Sequence, residues 1–338
     1  MTNLTSGSII SLEPNQILLG SGTSQWSQTS QHQNVFYFPD FFLQNQSLYR
    51  THSIYQTYTH QQFIPELQKK NYHPIEWEPL DRSEFNQAFV DVQKKFASGE
   101  LQKAVLYVMA TGRGKIAVPN VLESMMQFGL NRPVFLYGYW DQDEGMLGVS
   151  PEILMNIQEG KLSTMACAGT CRNDQDLSEF LNNPKERNEH QLVIDGIQES
   201  LSPFGTVQLG DLRAVSFSHL SHLITPIEVN LEGDYQLDPL VQALHPTPAL
   251  GAYPKKQGTG WLRKYDKMIP RCRYGAPVGV IRDGGKQVQM YVGIRNIQWK
   301  GDEVRIGVGC GIVAESNMDQ EWEEIQAKLH MTKEMLGL

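Results

Sequence analysis

The chain has 338 residues, 40% of them hydrophobic, enough for a substantial core in one large domain or two modest ones. Net charge is −8 and the 29 Lys and Arg are dispersed, so no basic stripe points to nucleic acid. No apolar run reaches membrane-span length, and the opening "MTNLTSGSIISLEPNQ" lacks the basic and apolar regions of a signal peptide, so a soluble cytoplasmic protein is expected, with no membrane partner. Cys167 and Cys171 flank "AGT", a poor match to a zinc knuckle; with Cys272 and Cys310 they read as reduced thiols.

In chain order, residues 16–22 and 34–43 read as strands, followed by a polar stretch to about Pro79. A helix then runs to Gly99, with Asp81 and Glu84 in capping-box spacing. A strand begins at Lys103, and short apolar runs follow at 133–139, 145–149, 153–157, 162–168, 276–281, 287–294 and 303–308. "IRDGGKQVQMYVGI" predicts a hairpin turning on Asp-Gly-Gly. Helices are predicted at 119–129, 184–201, 238–244 and 320–335. Strands and helices mix without βαβ alternation, which favours α+β with large, mainly antiparallel sheets.

Two helices carry paired acids. In "NPKERNEHQLVIDG", Asn183 suits an N-cap and Pro184 the first turn, and Leu192, Ile194 and Ile197 form an inward face. Glu186 and Glu189 then neighbour each other three residues apart, and they repel unless a cation or proton intervenes. Taken alone, they read as a solvated first turn that complements the helix dipole. In "SNMDQEWEEIQAKLHMTKEML", Asp319 is the expected cap, and Glu321, Glu324 and Lys328 fall on one side, by default a solvated face. Just before it, Gly307, Gly309 and Gly311 alternate, so an extended strand would present one bare face to a ligand. A glycine strand running into an acidic helix suggests an anion held by backbone amides and a metal held by carboxylates. The carboxylates, with no His–Cys constellation nearby, suit Mg2+.

The motifs "GVSPEILM", "ACAGTCR", "NPKERNEHQLV", "HPTPALGAYP", "YGAPVGV", "GIRN" and "GCGIVAESNMDQEWEEIQAKL" resemble, in order and spacing, those of chorismate-utilising enzymes. That family comprises isochorismate and salicylate synthases and the large subunits of anthranilate and aminodeoxychorismate synthases. The resemblance covers roughly residues 80–338; residues 1–80 match only vaguely. It implies a single large α+β domain over residues 1–338, with antiparallel sheets and flanking helices around one deep site. It further implies Glu189 and Glu324 as Mg2+ ligands, with Glu186 reaching through a water. The Gly169–Thr170 turn would lie beside the ring carboxylate of chorismate. Tyr274, Arg295 and the backbone at Gly309 would cradle the enolpyruvyl carboxylate, Lys328 would stand near the metal-bound end, and His222 would line the pocket.

Lys103 matches the lysine that isochorismate and salicylate synthases use as general base for water, and Glu152 matches the general acid. Without the resemblance they read as a strand-end lysine and a turn acid, and His222 as a satisfied core histidine. Burial and a nearby cation would have to suit Lys103 to its task, and an enclosed pocket would have to keep Glu152 protonated. Ala168 stands where many aminodeoxychorismate synthases carry a nucleophilic lysine. Ala249 and Leu250 look like isochorismate synthases, whereas salicylate synthases tend to carry threonine at position 249. The Leu-Leu-Glu-Ser segment of many anthranilate synthases is missing. These signs agree on an isochorismate synthase, monomeric and without a glutamine amidotransferase partner, that serves menaquinone or siderophore synthesis. Gly307 replaces an aromatic found in some siderophore-pathway members, and "AGTCRND" is less basic than usual. The rivals are a salicylate synthase, an anthranilate- or aminodeoxychorismate-synthase-like subunit, and a non-catalytic binder.

Overall fold

The computed structural model describes residues 5–29, 34–45, 47–71, 74–172, 176–217, 220–233 and 235–338. Among them 18 strands join in one hydrogen-bonded sheet. Every pairing is antiparallel, and helices flank the sheet, as the α+β reading expected. The Lys103–Arg113 strand is a nearly continuous apolar run and is buried along most of its length. It pairs without a break with the Glu303–Ile312 strand, from Glu303 opposite Arg113 to Ile312 opposite Ala104. At its start, Lys103 lies opposite Tyr253 of the short Ala252–Tyr253 strand.

The helix Pro184–Leu201 packs on the Lys161–Arg172 strand, and the helix Met318–Leu336 on the Glu303–Ile312 strand. Both acidic helices therefore ride on strands that lead to one place. The first has the predicted bounds and cap: Asn183 accepts the Glu186 N–H at 3.3 Å. The second is capped by Asn317, not Asp319; Asn317 accepts the N–H groups of Asp319 and Gln320 at 3.0 and 3.2 Å. Asp319 instead falls inside the first turn, where its charge complements the dipole. The capping box expected at Asp81 and Glu84 is not formed. That helix starts at Ser83, whose N–H donates to Asp81 Oδ1 at 2.8 Å. A capping box does open the short helix His60–Phe63, between Thr59 and Gln62.

The polar stretch after residue 43 contains an 11-residue strand, Tyr49–Thr59, which pairs with Gln16–Ser27. The strand Gly7–Glu13 and the helix Lys255–Met268 were also not anticipated. Gly258 explains how that helix fits, because a Cβ there would overlap Ala252 on the neighbouring strand. No described helix is long and apolar enough to cross a membrane.

Residues 5–59 are pinned to the rest of the sheet by a buried cation. Arg50, fully buried, pairs with Asp141, donates to Ser6 Oγ at 2.8 Å, and lies over the rings of Trp26 and Tyr139 at 5.1 and 5.4 Å. Asp141 is one-third exposed, so water can compensate it when the guanidinium is removed. Arg50→Met should therefore cost about 2–3 kcal/mol, just below the range for breaking a fully buried pair. Urea unfolding of the two proteins measures this directly.

Candidate active site

A cleft with about 740 Å³ of non-atom space, part of it open to solvent, lies at the seam between the two largest apolar clusters. One wall carries Val308 and Cys310, the other Ala168 and Leu250. Every site residue singled out in the sequence lines it except Lys103 and Glu186, which touch it through their partners.

The glycine strand is the floor. Its bare face is not left open at both ends, as the sequence reading expected; the protein's own side chains fill it. A Cβ on Gly307 would overlap the Tyr274 ring, and one on Gly311 would overlap Glu189 Oε1 and crowd Lys103 Nζ. Between them, Gly309 presents its carbonyl to Lys328 Nζ at 3.0 Å. Tyr274 is itself held from behind. Arg271, fully buried, donates from Nε to the Tyr274 carbonyl at 2.9 Å, and its guanidinium lies 3.5 Å from the Phe41 ring centroid and 4.3 Å from that of Tyr107.

At one end of the floor, four carboxylates face three lysines. Lys103, 1% exposed, pairs with Glu189 at 3.0 Å. Burial of Lys103 is thus realised, but the partner found is an anion and not the cation envisaged from the sequence. Lys328 pairs with Glu324 at 2.6 Å, one helical turn away. Lys185 reaches across to Glu321 at 2.7 Å and lies 3.4 Å from Glu186. Glu186 Oε2 also accepts the Thr170 N–H at 2.9 Å. That approach is made possible by Gly169, whose φ of +77° sits in a register break between Ala168 and Thr170. Burial and the neighbouring Glu189 push Glu186 up to about 7. Burial and Glu324 likewise raise Glu321. These oxygens are hard donors that repel one another, the chemistry a hard divalent cation relieves. Among the described residues, however, no three His, Cys, Asp or Glu side chains converge as a ready metal site. Each carboxylate is instead turned to a lysine.

At the other end sit Glu152, Arg295 and His222. Glu152 follows Ser150-Pro151, and its backbone is fixed by the Val292 N–H at 3.1 Å. Its carboxyl is 4% exposed, and burial pushes it up to about 8 against the pull of Lys103, Lys328 and Arg295. The carboxyl is therefore largely protonated at neutral pH, as a general acid must be. His222 Nδ1 lies 3.1 Å from the Gly169 carbonyl and Nε2 lies 3.2 Å from Arg295 Nη2. Burial and Arg295 hold its pKa well below the usual imidazole range. The ring is thus neutral, donating from Nδ1 and accepting at Nε2. Arg295 occupies the left-handed region with φ of +54°, which turns its side chain into the cleft at the junction of two strands.

Sequence reasoning missed Lys185, Arg271, Cys167 and Cys310 as site residues, and by default gave Glu321, which is 2% exposed, to a solvated face. The shared Glu-x-x-Glu spacing of Glu186/Glu189 and Glu321/Glu324 was the available signal that both helices face one site. Nothing in "RCRY" distinguishes buried Arg271 from a surface arginine. Of the "AGTCRND" segment, residues 173 and 174 lie outside the described residues.

The sequence model of a family described as chorismate binding enzyme matches residues 24–337, well upstream of residue 80. The salicylate biosynthesis isochorismate synthase of Pseudomonas aeruginosa is 35% identical over 200 residues, 56% of this chain and 42% of that protein. An isochorismate synthase of Bacillus subtilis is 28% identical over 271 residues, 77% of this chain and 57% of that protein. Anthranilate synthase component 1 proteins match as well. The chain spans about half the length of the curated relatives it matches. A crystal structure from Bacillus anthracis, described as a 2,3-dihydroxybenzoate-specific isochorismate synthase, superposes with a TM-score of 0.83 at 20% identity, covering 99% of this chain and 97% of that one. At that identity the likeness concerns the fold.

Two glycines give opposite expectations. Gly311→Ala should lower stability by about 1–3 kcal/mol, because the methyl displaces the Lys103–Glu189 pair. Gly260→Ala, in a helix with open space around it, should raise stability by about 0.5–1 kcal/mol. Urea unfolding of both variants provides the comparison.

Proposed function

This chain belongs to the chorismate-binding enzymes, and we propose that within that family it converts chorismate to isochorismate. The observation that carries the reading is Glu152, a carboxyl buried to a pKa of about 8 in the same cleft that Lys103 borders through Glu189. Water adds at C2 as the ring double bond shifts and the C4 hydroxyl leaves. Lys103, acting as the neutral amine, takes the proton from the attacking water and becomes an ammonium, and Glu152 gives its proton to the departing hydroxyl. One water enters, one leaves, and the product is an isomer of the substrate. A proton passed from Lys103 back to Glu152 resets the pair.

Arg295, its guanidinium matched to a carboxylate, would hold the enolpyruvyl group together with Tyr274 and the backbone at Gly309. His222 orients Arg295 without competing for charge, because the imidazole is neutral. Glu189 and Glu324 would hold Mg2+, with Glu186 reaching through a water, and Lys328 and the Gly169–Thr170 turn would flank the ring carboxylate. Bound there, Mg2+ supplies charge neutralisation for that carboxylate. As a ligand of the ion, Glu189 would no longer hold Lys103 Nζ, and the amine would be free to face the water. The enzyme would act as a cytoplasmic monomer without an amidotransferase. Gly307 leaves no room for a side chain while Tyr274 stands. That separates the cleft from siderophore-pathway members with an aromatic there and supports a menaquinone role.

Purified protein given chorismate and Mg2+ without ammonia should yield isochorismate in a mixture with chorismate by proton NMR, and no pyruvate. Salicylate with matching pyruvate would make the enzyme a salicylate synthase despite Ala249. Unchanged chorismate, even with ammonia, would remove the reading. Lys103→Ala should abolish conversion while chorismate still binds.

Glu152→Gln should lower turnover by about 10²–10⁴-fold. In the unaltered enzyme, turnover should fall as pH rises through about 8 and Glu152 loses its proton. The linkage has a definite sign. A carboxyl raised from 4.5 to about 8 on folding costs stability progressively as pH climbs between those values. Glu152→Gln should therefore be more stable than the parent at pH 9, with the gap closing near pH 4.5. Thermal unfolding across that range tests the sign.

A further inference from the structure

Lys185 has no part in the chemistry above, yet it bridges two of the four carboxylates at the acidic end of the cleft, Glu321 and Glu186. It lies in the first turn of Pro184–Leu201, and its Nζ crosses to Glu321 in the first turn of Met318–Leu336, 2.7 Å away, with Glu186 at 3.4 Å. Its side chain is 25% exposed, at the rim, whereas Glu321 beneath it is 2% exposed. Of the three lysines facing these carboxylates, Lys103 is sealed at 1% exposure, and Lys328 is also tied to the Gly309 carbonyl. Lys185 touches the acids alone and has a flexible stem with a path to solvent.

We propose that Lys185 is the resident counter-ion of the metal-free site, an internal cation that a divalent metal must displace. The inference rests on the metal reading given under the proposed function. Two cations cannot share one cluster of acids at short range without strong repulsion, and Lys185 is the one free to swing outward. Removal of its charge should therefore tighten metal binding, the opposite of what loss of a ligand-supporting residue would do. Its departure would also break the tie between the first turns of the two acidic helices.

Mn2+ binding by electron paramagnetic resonance, on full-length protein without substrate, tests this. Lys185→Met should bind Mn2+ more tightly than the parent by about two- to fivefold, the scale of one displaced charge pair near a surface. Because that variant leaves Glu321 buried and unpaired, the double variant Lys185→Gln/Glu321→Gln is compared with Glu321→Gln alone, and it should again bind more tightly. In the parent, acetylation of Lys185 followed by mass spectrometry should accelerate several-fold when Mg2+ is added. Metal binding of equal or weaker affinity without Lys185, or acetylation indifferent to Mg2+, overturns the proposal and leaves the metal reading standing. No Mn2+ bound by any of these proteins overturns both.

Discussion

Charge buried against charge is the constraint on which the cleft depends. A lone ammonium or carboxylate sealed in an apolar seam is prohibitively costly, and a pair is tolerable only when its geometry is good and its remaining hydrogen bonds are met. Lys103 and Glu189 meet that condition at 3.0 Å, and much of the surrounding architecture follows from making the meeting possible. Gly311 is bare because the pair fills the space its side chain would take. The Pro184–Leu201 helix presents Glu189 from one side, and a strand buried along most of its length presents Lys103 from the other. Such pairs contribute little net stability; what they fix is which carboxylate stands where before any ligand arrives.

The same logic separates the two ends of the cleft. At the acidic end, charges are balanced among themselves. At the far end Glu152 has no dedicated partner among the described residues and answers burial by keeping its proton, while His222 stays neutral between a carbonyl and a guanidinium. One end thus balances charge against charge, and the other keeps an acid and an imidazole neutral. Positioning falls to backbone features more than to side-chain bulk: a register break at Gly169, a left-handed Arg295, and a strand of alternating glycines.

Much of this was legible in the sequence, and what was not has physical causes. The Pro184–Leu201 helix could be read to the residue because Asn183, Pro184 and an inward apolar face all agree. The Lys103 strand announced itself by an unbroken apolar run. The Tyr49–Thr59 strand did not, since half its side chains face solvent and its place is set by pairing with Gln16–Ser27, a contact distant in sequence. The Lys255–Met268 helix hid behind two glycines, one of them needed for close packing. In the site, residue identities were foreseeable but partnerships were not. Nothing local says that Lys185 crosses to Glu321, or that the glycine face is filled by Tyr274 and an ion pair. Those facts arise only when elements from different parts of the chain meet.

That meeting has a consequence for how the molecule comes into being. The Lys103–Arg113 strand finds its long partner only in Glu303–Ile312, near the other end of the chain. While the intervening residues are being synthesised, an apolar strand carrying Lys103 waits with that edge unsatisfied, the kind of surface that invites intermolecular pairing. Closure of so distant a contact is slow compared with helix formation. Folding of the sheet and assembly of the cleft therefore arrive together and late. During synthesis the nascent chain would depend on protection by chaperones for longer than its many local hairpins suggest.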